Sequence, residues 1–280
     1  SGVGRGFAAG ADTKEFDRPA VAPHLPDVIN HIEASTIPWI AAIHGAALGG
    51  GGELALGCRY RIARADATIG FPEVILGLVP GAGATQRLPR LIGLTEALKL
   101  IPTGKTISGR AALAIGLVNA IDDDPITAAK LIDQQILSEV VPLNLTKAGA
   151  DRTVNYEAAR QIAIRRMRGQ EAPLTAISLL EMAQTATFDD GMQKERTAFL
   201  ALRASSQARA LRHIFFAERA AKKPPKAIAT QKSNLKPLNH VVVIGGGTMG
   251  GGIAYAFLNA NVRVTILESD DPGIKRANTA

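Results

Sequence analysis

The first part of the chain alternates short apolar runs with helix-like patterns. Residues 39–44 are apolar and follow Pro38, and Gly45 comes directly after them, which predicts a buried strand. The glycines at 49–52 then lead into an apolar helix around 53–58. Another apolar segment follows this strand, tight turn and helix. The alternation predicts an α/β fold.

The middle of the chain has a second glycine-rich loop and then mainly helical patterns. The loop at 77–83 precedes an amphipathic stretch that starts at Thr85. Residues 127–182 carry apolar side chains at helical spacing, and a further long helix is predicted over 193–221. Prolines and lysines follow as far as Lys236, a composition typical of a linker between domains.

A second domain is predicted after this linker. A β-branched run at 240–244 enters a glycine-rich turn, and a helix to about Ala260 leads to another strand at 262–268. This is the first βαβ part of a Rossmann fold. The predicted organisation is a first domain at 1–187, a linker helix and Lys/Pro-rich linker at 188–238, and the start of a second domain at 239–280.

The net charge of +7 is concentrated near the predicted linker. Eleven lysines and arginines lie between Lys194 and Lys236, against two glutamates, Glu195 and Glu218. Aromatic residues do not interleave with these charges as stacking platforms would, so no nucleic-acid partner is predicted. The basic stretch favours a solvated helix face and linker, and a site for a phosphate-bearing polyanion stays open.

The cysteine, histidine and hydropathy patterns exclude several other classes of protein. Cys58 is the single cysteine and lies in an apolar setting, which predicts a buried, unreactive thiol and a reducing compartment. The uncharged run at 37–52 is too short for a membrane span, and the N-terminus lacks a signal-peptide pattern. The five histidines show no metal-binding spacing, so no metal is predicted. No Gly-x-Ser-x-Gly elbow or Cys-x-x-Cys pair occurs, so no covalent nucleophile is predicted.

Four motifs rich in glycine or glutamate follow one another in a specific order. They are the segments at 8–16 (AAGADTKEF), 44–53 (HGAALGGGGE), 71–73 (FPE) and 77–83 (GLVPGAG). In this order and spacing they closely resemble the crotonase, or enoyl-CoA hydratase/isomerase, superfamily, and the likeness extends from the first residue to about Thr187. The resemblance implies a ββα spiral with C-terminal helices. Because the sequence opens inside a glycine-rich turn, we expect this domain to lack its N-terminal strands.

The glycine motifs are suited to stabilising an oxyanion. A thioester reaction through an enolate needs two N–H donors directed at the carbonyl oxygen. Gly50, at the predicted start of a helix, offers one in the field of the helix dipole, and by resemblance Ala11 supplies the second. The resemblance also implies that Asp12 and Lys14 lie beside the CoA moiety and that Gly81 lines the pocket. A helix cap at Asp12, a solvated Lys14 and a plain turn at Gly81 stay open.

Two glutamates form the predicted acid–base pair. Glu53 lies three residues after Gly50, so on a helix it projects from about the same face, and Glu73 supplies a second carboxylate. Hydration of a 2-enoyl thioester needs one group to activate water for attack at C3 and one to protonate C2. We expect Glu53 to act mainly on the water and Glu73 mainly on the proton at C2. Taken singly, each glutamate could instead stabilise a helix N-terminus.

The glycines of the second domain form a dinucleotide-binding motif. Gly245, Gly247 and Gly250 follow a predicted strand and open a predicted helix, which is the context that this motif requires. Glu268 ends the next strand and is expected to bind the adenosine ribose, which favours NAD over NADP. A plain glycine-rich turn between strand and helix is the alternative.

The same segment resembles a known enzyme family. The run at 241–252, in which Thr248 and Met249 are further expected cofactor-binding residues, looks like the start of a 3-hydroxyacyl-CoA dehydrogenase. Residues 205–221 resemble the helix that joins hydratase and dehydrogenase in multifunctional β-oxidation enzymes. The catalytic histidine of such a dehydrogenase would lie beyond Ala280, so hydride transfer is expected only of a longer protein.

Together these resemblances imply an enzyme of fatty-acid β-oxidation. The implied reaction is hydration of trans-2-enoyl-CoA to L-3-hydroxyacyl-CoA, with a CoA thioester as substrate and NAD as cofactor of the dehydrogenase part. Two alternatives stay open, a Δ3,Δ2-enoyl-CoA isomerase on the same carboxylates and an inactive acyl-CoA-binding remnant. A homo-oligomer or a thiolase partner is compatible with such a protein. The expected compartment is the bacterial cytoplasm, or the peroxisome or mitochondrion in a eukaryote.

Overall fold

The chain forms two compact units, Ser1–Ala220 and Ala221–Ala280. The computed structural model describes residues 1–12, 15–16, 21–149, 153–223 and 237–277. Lys14 and most of the predicted lysine- and proline-rich linker, 224–236, lie outside the described residues. No helix in the described part of the chain is both long and apolar enough to cross a membrane.

Two small sheets form the centre of the first unit. Its strands are β1 (Ile40–Ile43), β2 (Ala46–Leu48), β3 (Tyr60–Ala63), β4 (Thr68–Gly70), β5 (Thr106–Ser108) and β6 (Ala120–Ile121). In one sheet β3 lies between β1 and β6, and all three strands are parallel. In the other sheet β4 lies between β2, which is parallel to it, and β5, which is antiparallel. Ala8 forms a parallel bridge with Ala47 of β2.

Helices make up most of the rest of the first unit. They are α1 (Leu25–Ala34), α2 (Gly50–Gly57), α3 (Ala84–Ile92), α4 (Leu94–Leu100), α5 (Gly109–Ala114), α6 (Pro125–Lys130), α7 (Gln134–Glu139), α8 (Tyr156–Arg166), α9 (Ala172–Met182), α10 (Phe188–Ala204) and α11 (Ser206–Ala221). Short 3-10 helices lie at Pro72–Leu76 and Leu143–Leu145. Side-chain caps help to start several helices, as at Asp124 of α6 and Thr187 of α10.

The chain passes between the two sheets as a spiral. Gly45, with a φ of +57°, turns the chain from β1 into β2 of the other sheet. α2 then leads back to the first sheet, where β3 pairs with β1 so that Ile40 lies opposite Tyr60. The next strand, β4, pairs with β2 in the same way. The predicted ββα pattern is therefore confirmed.

The long helix predicted over 193–221 is in fact divided between two helices. Ser205 separates α10 from α11 with an extended backbone, φ −69° and ψ 151°. Its N–H donates to Leu202 O at 2.9 Å, and its hydroxyl accepts from Ala208 N at 3.0 Å. One residue thus closes the first helix and caps the second. Periodicity does not reveal the break because serine also occurs inside helices.

The core of the first unit packs around the spiral. Its most deeply buried side chains, each at most 1% exposed, include Phe71, Val74, Leu78 and Leu88. Each such side chain stabilises the fold by roughly 1.5–3 kcal/mol relative to exposure. Cys58 is buried as predicted, and burial raises the pKa of its thiol to about 11. The strands and helices of the first unit therefore pack on an apolar core.

The second unit begins with a strand, a helix and a strand. β7 (His240–Ile244) and β8 (Arg263–Leu267) are parallel, and α12 (Thr248–Asn259) connects them before α13 (Asp271–Ala277). The strand predicted at 240–244 has its observed bounds. The helix predicted to end at about Ala260 ends at Asn259, and the strand predicted at 262–268 is one residue shorter at each end. The predicted βαβ beginning is confirmed.

Candidate active site

The end of β2 turns sharply into α2 beside a glutamate. Gly49 caps the helix with a φ of +55°, a conformation that favours glycine. A Cβ at Gly49 would also lie 2.9 Å from Glu73 Oε1, so the carboxylate leaves no room for a side chain. Gly50 is the first residue of α2, and its N–H therefore has no acceptor within the helix.

Ala11 lies next to this helix start. Ala8 donates its N–H to Ala46 O and accepts from Leu48 N, both at 3.0 Å, which aligns the segment with β2. The chain then reaches Ala11, whose backbone N would lie 3.7 Å from a Cβ placed on Gly50. The two backbone groups predicted for the oxyanion site are therefore close together.

Glu53 lies one turn into α2 and is 3% exposed. Its Oε1 accepts hydrogen bonds from Ala82 N at 2.8 Å and Ala84 N at 3.1 Å. Burial raises the pKa of Glu53, while these backbone donors and the positive charge of Arg87 oppose the rise. The backbone at the start of α3 thus holds this carboxylate in one orientation.

Glu73 lies in the short 3-10 helix that follows β4. Its Oε1 approaches Gly49, and its Oε2 is buried without a hydrogen-bond partner among the described residues. Burial raises the pKa of Glu73 well above the ordinary carboxyl value, and the negative charges of Glu53 and then Glu195 raise it further. A carboxyl group with a raised pKa and one unengaged oxygen is suited to exchange a proton.

A third carboxylate, Glu195 of α10, is completely buried. Its Oε1 accepts from Gly83 N at 2.6 Å, and its Oε2 accepts from Thr85 N at 2.8 Å and Thr85 Oγ1 at 2.6 Å. Burial raises the pKa of Glu195 to about 8, and the charge of Glu53 adds to this effect. The three donors oppose it.

The burial of Glu195 contradicts the solvated stretch predicted from its charged neighbours. Lys194 is exposed, whereas Glu195 shares a buried helix face with Gly191 and Leu202, four residues before and seven after it. This spacing was the available signal, because a charge on a buried face must be paired or hydrogen-bonded. A count of charges does not show which face of the helix each charged residue occupies.

The start of α3 is also held by Arg87, a completely buried residue that the sequence did not single out. Its Nη2 lies 2.7 Å from Glu33 Oε2, and its Nη1 donates to Ala82 O at 2.9 Å. Glu33 Oε1 accepts in turn from Asn144 N at 3.1 Å. The peptide groups at Ala82 are thus fixed twice, the N–H by Glu53 and the carbonyl by Arg87.

The remaining predicted residues of this site have different positions. Gly81 is buried against α10, where an added Cβ would lie 2.6 Å from the ring of Phe199. Asp12 is exposed, and its carbonyl accepts from Glu15 N at 2.9 Å. Lys14 lies outside the described residues. Within the described ranges, no group of three or more His, Cys, Asp or Glu residues could hold a metal ion.

The glycine-rich turn of the second unit is already formed. Gly245 has a φ of +89°, and a Cβ at Gly250 would lie 1.7 Å from Gly245 O, so the turn packs tightly on α12. A Cβ at Gly247 would meet no described atom within 4 Å. Open space therefore lies next to the N-terminus of α12. Both features fit the pyrophosphate of a dinucleotide.

The other residues of this turn lie around the same helix start. Thr248 is the first residue of α12, and the next residue, Met249, is 81% exposed. Glu268 follows β8 directly, and its Oε1 accepts a hydrogen bond from Gly246 N. The predicted acidic residue is thus in contact with the glycine-rich turn.

Comparisons with known proteins match a different family to each of the two units. The sequence model of the enoyl-CoA hydratase/isomerase family matches residues 1–173, and that of the 3-hydroxyacyl-CoA dehydrogenase NAD binding domain matches residues 240–280. A peroxisomal bifunctional enzyme from Cavia porcellus is 39% identical over 99% of this chain and 40% of its own length. A fatty acid oxidation complex subunit alpha from Shewanella baltica is 35% identical over 99% of this chain and 42% of its own length.

The chain therefore spans about two-fifths of the length of these relatives. A crystal structure of an enoyl-CoA hydratase/isomerase from Pseudoalteromonas atlantica supports the fold, with a TM-score of 0.54 at 24% identity over 77% of this chain and 76% of that chain. The first family model covers more than half of the sequence. The chain belongs to the enoyl-CoA hydratase/isomerase family.

Proposed function

We propose that the first unit hydrates trans-2-enoyl-CoA thioesters to L-3-hydroxyacyl-CoA. The observation that carries the proposal is the pair of buried carboxyl groups beside the start of α2. Glu53 is held by two backbone donors, whereas Glu73 has a strongly raised pKa and an unengaged oxygen. A reaction that needs one base and one acid requires two carboxyl groups in such different states.

The backbone at Ala11 and Gly50 would hold the thioester. In the proposed reaction the two N–H groups donate to the thioester oxygen, and their bonds strengthen as the enolate charge develops. The dipole of α2 acts in the same direction because Gly50 is its first residue. These groups would bind and polarise the substrate without exchanging protons with it.

The two glutamates would divide the proton transfers. Water forms its bond to C3 while Glu53 accepts a proton from it, and the neutral Glu73 donates its proton to C2 of the enolate. One water molecule is thereby added across the double bond. Afterwards Glu53 is neutral and Glu73 is ionised, so a proton must return from Glu53 to Glu73, directly or through solvent.

The proposal is tested by the loss of conjugated enoyl-thioester absorbance with crotonoyl-CoA. The parent chain is compared with Glu53→Gln and Glu73→Gln, and Glu218→Gln of the exposed face of α11 is the matched control. We expect kcat to fall by about 100-fold or more in either site variant and to be unchanged in the control. A pair of site variants with parental rates would contradict the assignment.

Two other results of this assay would replace the proposal. Appearance of conjugated absorbance from a 3-enoyl-CoA, with no hydration of crotonoyl-CoA, would make the site an isomerase that moves a proton between C2 and C4. A folded parent that binds the thioester without turnover would make it an acyl-CoA-binding remnant. Both are measured on the same preparation.

We further propose that the second unit opens the NAD-binding domain of a longer, bifunctional protein. When bound, NAD would accept a hydride from C3 of the hydratase product. The turn at 245–250 and the start of α12 would hold the pyrophosphate, while Glu268, oriented by its bond to Gly246 N, would bind the ribose. In the full-length protein we expect Glu268→Gln to weaken NADH binding by about 10-fold, measured by NADH fluorescence, with Glu218→Gln as the unchanged control.

A further inference from the structure

We propose that Glu195 is a positioning residue of the hydratase site. It lies in α10, between the two segments that match known families, at 1–173 and 240–280. The proposal rests on the proposed function of Glu53 and Glu73, and it concerns how the base is kept in place. A site of this family would then depend on a segment that neither family model covers.

Two carboxylates share the backbone donors of one short segment, residues 82–85. The first and third N–H groups of this segment donate to Glu53, and the second and fourth donate to Glu195. Each peptide group is planar, and only the two dihedral angles at the shared Cα separate it from the next, so the direction of one N–H limits the directions of its neighbours. The orientation of the donors to Glu53 therefore depends on Glu195.

The side-chain hydrogen bonds of Glu195 are all made with this segment. Its three hydrogen-bond donors belong to Gly83 and Thr85, and among the described residues it forms no salt bridge. A buried carboxyl group is costly unless it is well hydrogen-bonded. An apolar side chain at this position would have left the two N–H groups without an acceptor.

The catalytic effect follows from the same geometry. Without the acceptors of Glu195, the 82–85 segment would turn its N–H groups towards other acceptors, and Glu53 would lose its fixed orientation. The donors proposed to hold the thioester, at Ala11 and Gly50, lie on other segments. Loss of Glu195 should therefore lower kcat and leave KM nearly unchanged.

The first test is Glu195→Gln. Glutamine has nearly the same size, but its amide nitrogen cannot accept a hydrogen bond, whereas both oxygens of a carboxyl group can, whether it is ionised or neutral. At least one donor of the segment is then left without its acceptor. We expect kcat for crotonoyl-CoA to fall by about 10-fold with KM within about 3-fold of the parent value. Glu218→Gln is again the matched control.

A second pair of variants tests the hydroxyl donor. Thr85→Val keeps the shape and the backbone N–H but removes the Oγ1 hydrogen bond to Glu195, and Thr85→Ser retains it. We expect a fall in kcat of about 3-fold for valine and a parental kcat for serine. A purely steric role of this position would give the opposite order, because valine is closer to threonine in volume.

Hydrogen exchange gives a readout that does not depend on turnover. In Glu195→Gln we expect the amides of residues 82–85 to exchange at least about 10-fold faster, while those of β3 (Tyr60–Ala63) keep their parental rates. Unchanged kcat and exchange would overturn the proposal, and so would equal acceleration in β3, which would indicate general destabilisation. A parent that fails to hydrate while 82–85 responds selectively would refute the proposed function but leave the positioning of Glu53 by Glu195 standing.

Discussion

The two candidate sites differ in how far apart in the sequence their hydrogen-bonded residues lie. In the first unit, the backbone donors to Glu53 lie 29 and 31 residues away, and those to Glu195 lie 110 and 112 residues away. In the second unit, the Glu268 contact to Gly246 spans 22 residues, and Gly245 N donates to Leu267 O at 2.8 Å. The first site is buried, whereas Ile244 and Met249 beside the second turn are more than 80% exposed.

This difference fits the function proposed for each site. Acid–base chemistry needs carboxyl groups with shifted pKa values, and only packing from several distant segments removes enough water to shift them. Phosphate binding needs exposed backbone N–H groups, which a strand, a turn and a helix can present by themselves. The first site therefore depends on the packing of the whole unit, whereas the second depends on one strand, turn and helix.

The largest effect is expected from breaking the distant network of the first unit. Arg87→Met leaves the Glu33 carboxylate buried without its cationic partner, so we expect the free energy of unfolding to fall by about 3–5 kcal/mol. Urea denaturation followed by circular dichroism measures it. Arg64→Met breaks the exposed pair with Asp66 and should leave the midpoint unchanged. Equal effects of the two variants would mean that the buried network is not what holds the first unit together.

A smaller, local effect is expected in the second unit. Gly250→Val forces a side chain against Gly245 O, so amides of β7 and β8 should exchange about 10-fold faster while the first unit keeps its urea midpoint. Gly251→Ala, one residue further along α12, meets no described atom within 4 Å and should slow exchange slightly, because alanine favours the helix. A shift of the first unit's midpoint in Gly250→Val would break the distinction between the units.

The last expected effect is a pH dependence of the stability of the first unit. The pKa of Glu195 is about 8 in the folded protein against a usual 4.5, so between these values the folded state holds a proton that the unfolded chain has released. Stability should therefore fall as the pH rises through this interval. Glu53 and Glu73 act in the same direction, and Arg87 opposes them at Glu53. We expect Tm to fall between about pH 5 and 8, and to fall less in Glu195→Gln. A rise in Tm would refute the shift.

The sequence predicted those parts of the fold that depend on local pattern. The strand at 240–244 was predicted with its observed bounds because it is a β-branched run that ends at a glycine turn. β2 was missed because Ala46–Leu48 is too short for a period-2 pattern and lies inside the glycine motif. Ser205 was missed because a serine between two helices looks like a serine within one.

The candidate site was predictable to a similar extent. The family resemblance named Glu53, Glu73 and Gly50, and the structure brings them to the start of α2, although their catalytic roles remain predictions. Glu195 and Arg87 could not be recognised as partners of this site, since their contacts cross 112 and 54 residues. Spacing along a sequence carries no information about contacts at such separations without the packed fold.

The burial of the single thiol gives the first unit an internal probe of its own opening. Cys58 is 7% exposed, its Sγ donates to Leu54 O at 3.4 Å, and its raised pKa keeps it protonated at neutral pH. A thiol reagent should therefore modify the native chain only when the helix and strands around Cys58 separate. Because the sequence contains no other cysteine, the labelling rate measures how often the first unit opens.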